Sequence, residues 1–148
     1  MQNISAEFFD YKQADSLVWF TNIVCFYQWK WILVRWKWKT TWELPWWHIE
    51  KWETSLNSAK RELYEETWIT WVELTFLCSR KSSWKFDNKE EIVSYYGNVY
   101  IVNVLELAKL PESEIEEIRL FTDIPENLTY PSTQIYILNK SREFIKKK

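Results

Sequence analysis

Apolar and polar positions alternate between two rhythms along this chain. Leu17–Tyr27 is dense in Val, Ile, Phe and Tyr and predicts a buried strand. Gln28-Trp29 follows as a hairpin turn, and Lys30–Arg35 as the returning strand. Two-residue hairpins favour residues that accept positive φ, so this turn is chemically poor. Trp36–Thr41 reads as a loop and Trp42-Glu43-Leu44 as a short strand stopped by Pro45. The rhythm then changes: Leu56, Ala59 and Leu63 recur at three- and four-residue spacing, predicting a helix to about Thr67 with Ser55 as its N-cap. Ser58 stands where a complete capping box has Glu. Val72–Ser79 and Ile92–Leu107 predict a long antiparallel pair around a polar loop, Lys81–Glu91. Glu112–Glu117 reads as an acidic loop, Ile118–Phe121 as a last short strand and Asp123–Tyr130 as irregular. Pro131 permits a C-terminal helix over Thr133–Lys147 with Ile135, Leu138 and Phe144 inward. Residues 1–15 form a lead-in with a short edge strand at Phe8-Phe9.

The helix carries more than its apolar stripe. Glu62, Glu65 and Glu66 lie three and four residues apart, so they share one face. Carboxylates crowded in this way repel one another unless a hard cation sits among them, and magnesium suits an oxygen-rich site shared with phosphates. Taken alone, such a run also fits a solvated charged face. Arg61 and, ahead of the helix, Glu53 complete the array. It resembles the signature of the Nudix hydrolases, G-x5-E-x7-R-E-U-x-E-E-x-G-U, where U is a bulky aliphatic. Every charged position is met at the right spacing, whereas Trp47 and Trp68 occupy the two glycine positions.

The resemblance implies an α+β fold, an α/β/α sandwich with a mixed β-sheet between the catalytic helix and a C-terminal helix, in one domain over residues 1–148. It implies hydrolysis of a nucleoside diphosphate-linked substrate at a pyrophosphate bond. The expected catalytic residues are Glu53, Arg61, Glu65 and Glu66. The expected ligands for Mg²⁺, or Mn²⁺ in its place, are Glu62, Glu65 and Glu66, with Glu114 joining from the later acidic loop. Glu53 would pair with Arg61 and brace the loop against the helix. Leu120–Leu128 is similar to bacterial members acting on oxidised purine nucleoside triphosphates such as 8-oxo-dGTP; nucleotide sugars, dinucleotides and the 5′ end of RNA are the other candidates. Phe20, Phe26 or Tyr27 could offer an aromatic face to a base, or serve as core.

Composition changes this picture in one respect. The chain has one Gly and 12 Trp in 148 residues, against roughly ten Gly in ordinary usage. Trp29, Trp46-Trp47, Trp52 and Trp68 all fall where a chain wants Gly, which reads as substitution of family glycines by tryptophan, through engineering or computation. Two alternatives stay open: a catalytically silent Nudix-fold module, and an aromatic-rich protein that binds glycans or membrane interfaces. The formal charge of −2 supplies no basic field for nucleic acid, and Lys146-Lys147-Lys148 is a short solvated tail. Ser16–Tyr27 is too short to span a membrane, and no secretory pattern opens the chain. Cys25 and Cys78 are expected as buried free thiols, consistent with a cytoplasmic protein whose partner is a small nucleotide. His48 is expected to be an exposed loop residue.

Overall fold

The computed structural model describes residues 2–67, 74–104 and 115–146. The elements run β1 (Gln2–Phe9), β2 (Val18–Tyr27), β3 (Lys30–Trp36), β4 (Trp46–His48), α1 (Ser55–Thr67), β5 (Thr75–Lys85), β6 (Ile92–Asn103), β7 (Ile115–Phe121) and α2 (Pro131–Lys146). Six strands form a mixed sheet in the order β1-β5-β6-β2-β3-β7, and β4 is a seventh strand paired with β2. β2 runs parallel to β6 along one edge. Its other edge is shared: Phe20–Asn22 pairs with β4, and Cys25–Tyr27 with β3.

Alternation along β2 assigns its side chains to two layers. Val24 and Phe26 face one core, with Trp31, Leu33, Leu44, Cys78, Val99, Ile137 and Leu138. Ile23 and Cys25 face the other, with Ile32, Ala59, Leu63, Tyr100 and Val102. The second core lies under α1 and the first under α2, so the sheet is sandwiched between the two helices as expected. Each layer buries apolar surface at about 25 cal/mol per Å². Both thiols are buried and free, and burial pushes each up to about 12.

Several elements differ from the sequence reading. The predicted strand at Trp42–Leu44 is reduced to isolated bridges, Val34 with Glu43 and Trp42 with Leu128. The regular strand instead follows Pro45, whose carbonyl accepts a hydrogen bond from Ile23 N at 3.2 Å. Proline lacks a donor but keeps its acceptor, so it can introduce a strand as readily as stop one. β5 continues through Lys81–Lys85, where the sequence predicts loop, because β1 pairs with one edge and β6 with the other. Glu116 and Glu117 belong to β7 rather than to an acidic loop. On α2, Ile137 and Leu138 are buried and Ile135 is exposed, so the inward stripe includes Ile137 in place of Ile135. The cap of α1 is Thr54, whose Oγ1 accepts from Asn57 N at 3.1 Å. Ser55 instead turns inward, its hydroxyl 2.7 Å from Tyr100 OH and accepting from Asn98 Nδ2 at 3.0 Å.

Five tryptophans of the turns and of β4 fall into two groups. Trp29, Trp38 and Trp52 have φ of 66°, 68° and 77°, the left-handed region that favours glycine. All three are exposed, at 77%, 93% and 91%. Gln28 shares the hairpin turn at φ 50°, as a two-residue type I′ turn requires. Trp46 and Trp47 do not belong with them: they lie in β4, laddered to Asn22 and Thr21, where extended backbone suits any residue. Trp68 lies outside the described residues. Gly97, the sole glycine, is needed for close packing, since an added Cβ would run into the Phe20 ring.

Candidate active site

The motif is assembled by the short path from β4 into α1. β4 is pinned to β2, and a turn at Glu50–Glu53 closes with Glu53 N donating to Glu50 O at 3.1 Å. Glu53 then points back at the helix. Arg61 holds it in a two-pronged clamp, Nε to Oε2 at 2.7 Å and Nη2 to Oε1 at 2.9 Å. Such fork-to-fork pairing fixes direction as well as charge. Arg61 Nη1 also donates to Glu62 Oε1 at 2.8 Å, and Nη2 lies 3.7 Å from Glu50. Glu50 N donates to Glu53 Oε1 at 3.1 Å, closing the loop on itself. The expected pairing of Glu53 with Arg61 is therefore present, and it ties the loop to the helix.

These contacts set the ionisation of the pair. The Arg61 hydrogen bonds hold the Glu53 carboxyl below its ordinary value, aided by the Glu50 amide, and the same carboxylate raises Arg61 further above its own. A carboxylate depressed in the fold contributes stability above its unfolded pKa and loses it as pH falls through the folded value. Melting temperatures followed from neutral to acid pH should therefore decline below the ordinary carboxylate range, and Glu53→Gln should remove part of that decline. A pH profile identical in both proteins would disprove the linkage.

Glu65 and Glu66 lie on the last turns of α1, three and four residues beyond Glu62. Their side chains, and the whole of Glu114, lie outside the described residues. Among the described residues no three His, Cys, Asp or Glu side chains gather as a metal site. The donor chemistry nonetheless fits a hard divalent ion. Between Glu50 and Glu66 five carboxylates meet three basic residues. Lys51 sits over the Trp52 ring, 5.1 Å from its centroid. Arg61 is committed to Glu53 and Glu62, so net negative charge remains on this stretch.

Sequence reasoning left the substrate pocket open. On the α2 face of the sheet there is a cavity of about 380 Å³, within the range of small-molecule sites. Trp19, Phe20, Trp46, Trp84, Tyr95 and Tyr130 give it aromatic walls, with Asn22, Arg80, Ser82, Thr133 and Gln134 as polar groups. Of the suggested aromatics, Phe20 lines this cavity; Phe26 is core under α2, and Tyr27 packs on the opposite layer. His48 is exposed as expected, but it lies on β4 and lines this cavity. β4 therefore carries the cavity wall at Trp46 and His48 and, within five residues, the Glu53 loop. Beside it Glu43 is fully buried, and burial raises its carboxyl above the ordinary value. Lys39, 3.6 Å away, and the Trp46 indole pull it partly back, though neither closes a hydrogen bond on it.

No protein-family model and no curated protein sequence matches this chain. Solved structures do. The Bacillus subtilis pyrophosphohydrolase BsRppH is similar at a TM-score of 0.67 and 21% identity, over 97% of both chains. The NUDIX domain of Shewanella oneidensis NrtR, solved with ADP ribose, gives a TM-score of 0.63 at 15% identity over 90% of both chains. A MutT NUDIX hydrolase from Burkholderia pseudomallei gives 0.60 at 20% identity, over 76% of this chain and 90% of that one. The α/β/α sandwich is the Nudix fold, shared with these three structures.

Proposed function

We propose that this chain is a metal-dependent Nudix pyrophosphohydrolase acting on a nucleoside diphosphate-linked substrate. The observation that carries this reading is the Arg61 clamp on Glu53 and Glu62, formed at the motif spacing in this fold. The aromatic cavity beside β4 supports a nucleotide substrate. A purine nucleoside triphosphate, normal or oxidised, converted to monophosphate and pyrophosphate, is the preferred case.

Glu62, Glu65 and Glu66 would hold Mg²⁺, or Mn²⁺ in its place, with Glu114 as a further ligand. When bound, the ion supplies charge neutralisation at the phosphate oxygens and activation of water. The chain's own residues do the rest. Arg61 keeps Glu53 ionised and the loop closed on α1, so the carboxylates meet the substrate already ordered rather than reorganising around it. The cavity walls stack on the base and hold it against rotation, which fixes where the phosphates reach the loop.

A second reading has its own support. The NrtR domain is described as a complex with ADP ribose, and tryptophan at the two glycine positions of the motif suits a domain that binds nucleotides without turning them over. One assay separates the two. Purine triphosphates, oxidised purine triphosphates, nucleotide sugars and dinucleotides are incubated with Mg²⁺, and released phosphates are measured with and without EDTA. Turnover that EDTA abolishes is expected. Binding without turnover across the panel would favour the silent domain, and turnover indifferent to EDTA would remove the metal.

A further inference from the structure

The face of the sheet beneath α1 carries one polar row among its apolar ones. Alternation along β6 puts Asn98 on that face with Tyr100 and Val102. In register beside Asn98 stand Thr21 on β2 and Ser79 on β5, so three polar side chains line up across three strands. All three are fully buried, and so is Ser55 at the start of α1.

A buried amide costs free energy unless it is hydrogen-bonded, and Asn98 is bonded at both ends. Its Oδ1 accepts from Gln13 N at 3.1 Å, and its Nδ2 donates to Gln13 O at 3.3 Å and to Ser55 Oγ at 3.0 Å. A backbone N–H only donates and a backbone carbonyl only accepts, so this carboxamide has one orientation. Ser55 Oγ also lies 2.7 Å from Tyr100 OH, and Ser55 N donates to Asp15 Oδ1 at 3.0 Å. At the other end of the row the Ser79 hydroxyl donates to Tyr11 O at 2.9 Å.

Further along, α1 meets the sheet through Ala59 and Leu63, in a cluster with Ile23, Ile32 and Val102. Apolar burial is non-directional: it sets how far a helix stands from a sheet and resists sliding along the helix axis far less. Hydrogen bonds are directional, and those at Ser55 fix that axial coordinate. Glu62 follows Ser55 by seven residues, about 10 Å along the axis. A shift at Ser55 is therefore carried to the carboxylates.

We propose that Asn98 is a positioning residue for the metal site: through Ser55 it sets the axial position of α1 on the sheet, and so where Glu62, Glu65 and Glu66 converge. Fully buried, it touches neither ion nor substrate. The proposal rests on the metal-dependent reading above and extends it to a residue outside the motif.

The test is Mn²⁺ binding without nucleotide, followed by loss of the paramagnetic resonance signal of the free ion, beside thermal melts of the same proteins. Ser55→Ala cuts the bond and should fold, because alanine is the best helix former. Its Mn²⁺ affinity should fall about tenfold, as when a group that holds metal ligands in place is lost. Asn98→Asp keeps the shape and the acceptor but loses both donors, and should weaken binding at least as much. If its buried carboxylate prevents folding, Ser55→Ala reads the same bond from the other end. Tyr100→Phe, which spares the Asn98–Ser55 bond, should have the smaller effect. Thr21→Val is the control: Thr21 lies in the same row, its Oγ1 has no partner among the described residues, and affinity should not change. A merely structural role would lower the melting temperature and leave affinity, measured well below the melt, unmoved. Parental affinity in Ser55→Ala, or an equal loss in Thr21→Val, would overturn this assignment alone. No Mn²⁺ uptake by the unmodified protein would overturn both it and the metal-dependent reading.

Discussion

Replacing Glu65 or Glu66 by Gln should lower turnover by about 10²–10³-fold, the usual loss when a group that stabilises charge at a reaction centre is removed. Glutamine keeps the shape of glutamate but not its charge, so the substitution probes electrostatics with little change in packing. Both positions follow Leu63, a buried apolar residue of the α1 stripe, on a helix whose start is secured by the Thr54 cap. Stability should therefore hold or rise slightly, because removing one of several crowded carboxylates relieves repulsion. The informative comparison is kcat and the melting temperature, measured together over a magnesium titration. A lost metal ligand raises the magnesium concentration needed for half-maximal rate; a loss of fold does not. Normal turnover in both variants would take these residues out of the site, and turnover lost together with the melt would make their role structural.

The second large effect concerns stability. Glycine at Trp29, Trp38 and Trp52 together should raise the melting temperature. A residue with a Cβ in the left-handed region costs roughly 1–2 kcal/mol. Glycine returns part of that gain through the extra freedom of the unfolded chain, about 0.5–1 kcal/mol per site. A net gain of about 0–1.5 kcal/mol remains at each. The rings are almost fully exposed, so little packing is lost with them. For a domain near this size each kilocalorie moves the melt by roughly 2–4 °C. Glycine at Trp46, by contrast, should destabilise, because that ring packs in β4 beside the cavity and the backbone there is extended. Thermal melts of the triple variant and the Trp46→Gly variant, run beside the parent, check both directions. A triple variant that melts no higher would show that the turns bear no strain.

These contrasts indicate what was legible in the sequence. Trp29 and Trp52 were readable as turn residues because their neighbours mark the end of one periodic run and the start of another. Trp38 was not, since it stands inside a loop where any φ is allowed until the chain is closed. Trp46 was not, because Pro45 reads as a terminator in sequence, whereas its carbonyl helps to dock β4 on β2. The α1 stripe and the Glu53–Arg61 spacing were readable because helix geometry is local. The second half of β5 was not: Arg80, Lys81, Ser82 and Ser83 have the composition of a loop, and only pairing on both edges makes them strand. The cavity was the least legible feature. Its walls come from β2, β4, β5, β6 and α2, and no spacing in the sequence announces that these meet.

The central position of β2 has a consequence for how the chain reaches this state. Its two edges are completed by β3 and β4, close behind it in sequence, and by β6, which begins at Ile92. β1 likewise waits for β5, with Gln2 opposite Lys85. During synthesis the apolar run of β2 would leave the ribosome long before its parallel partner exists, with one edge unpaired. Pairings between such distant segments form only after a large loop has been closed, so refolding from denaturant should fall toward the slow, millisecond-to-second end for small domains. In that interval the unpaired edge of β2 is the surface most open to association with other chains.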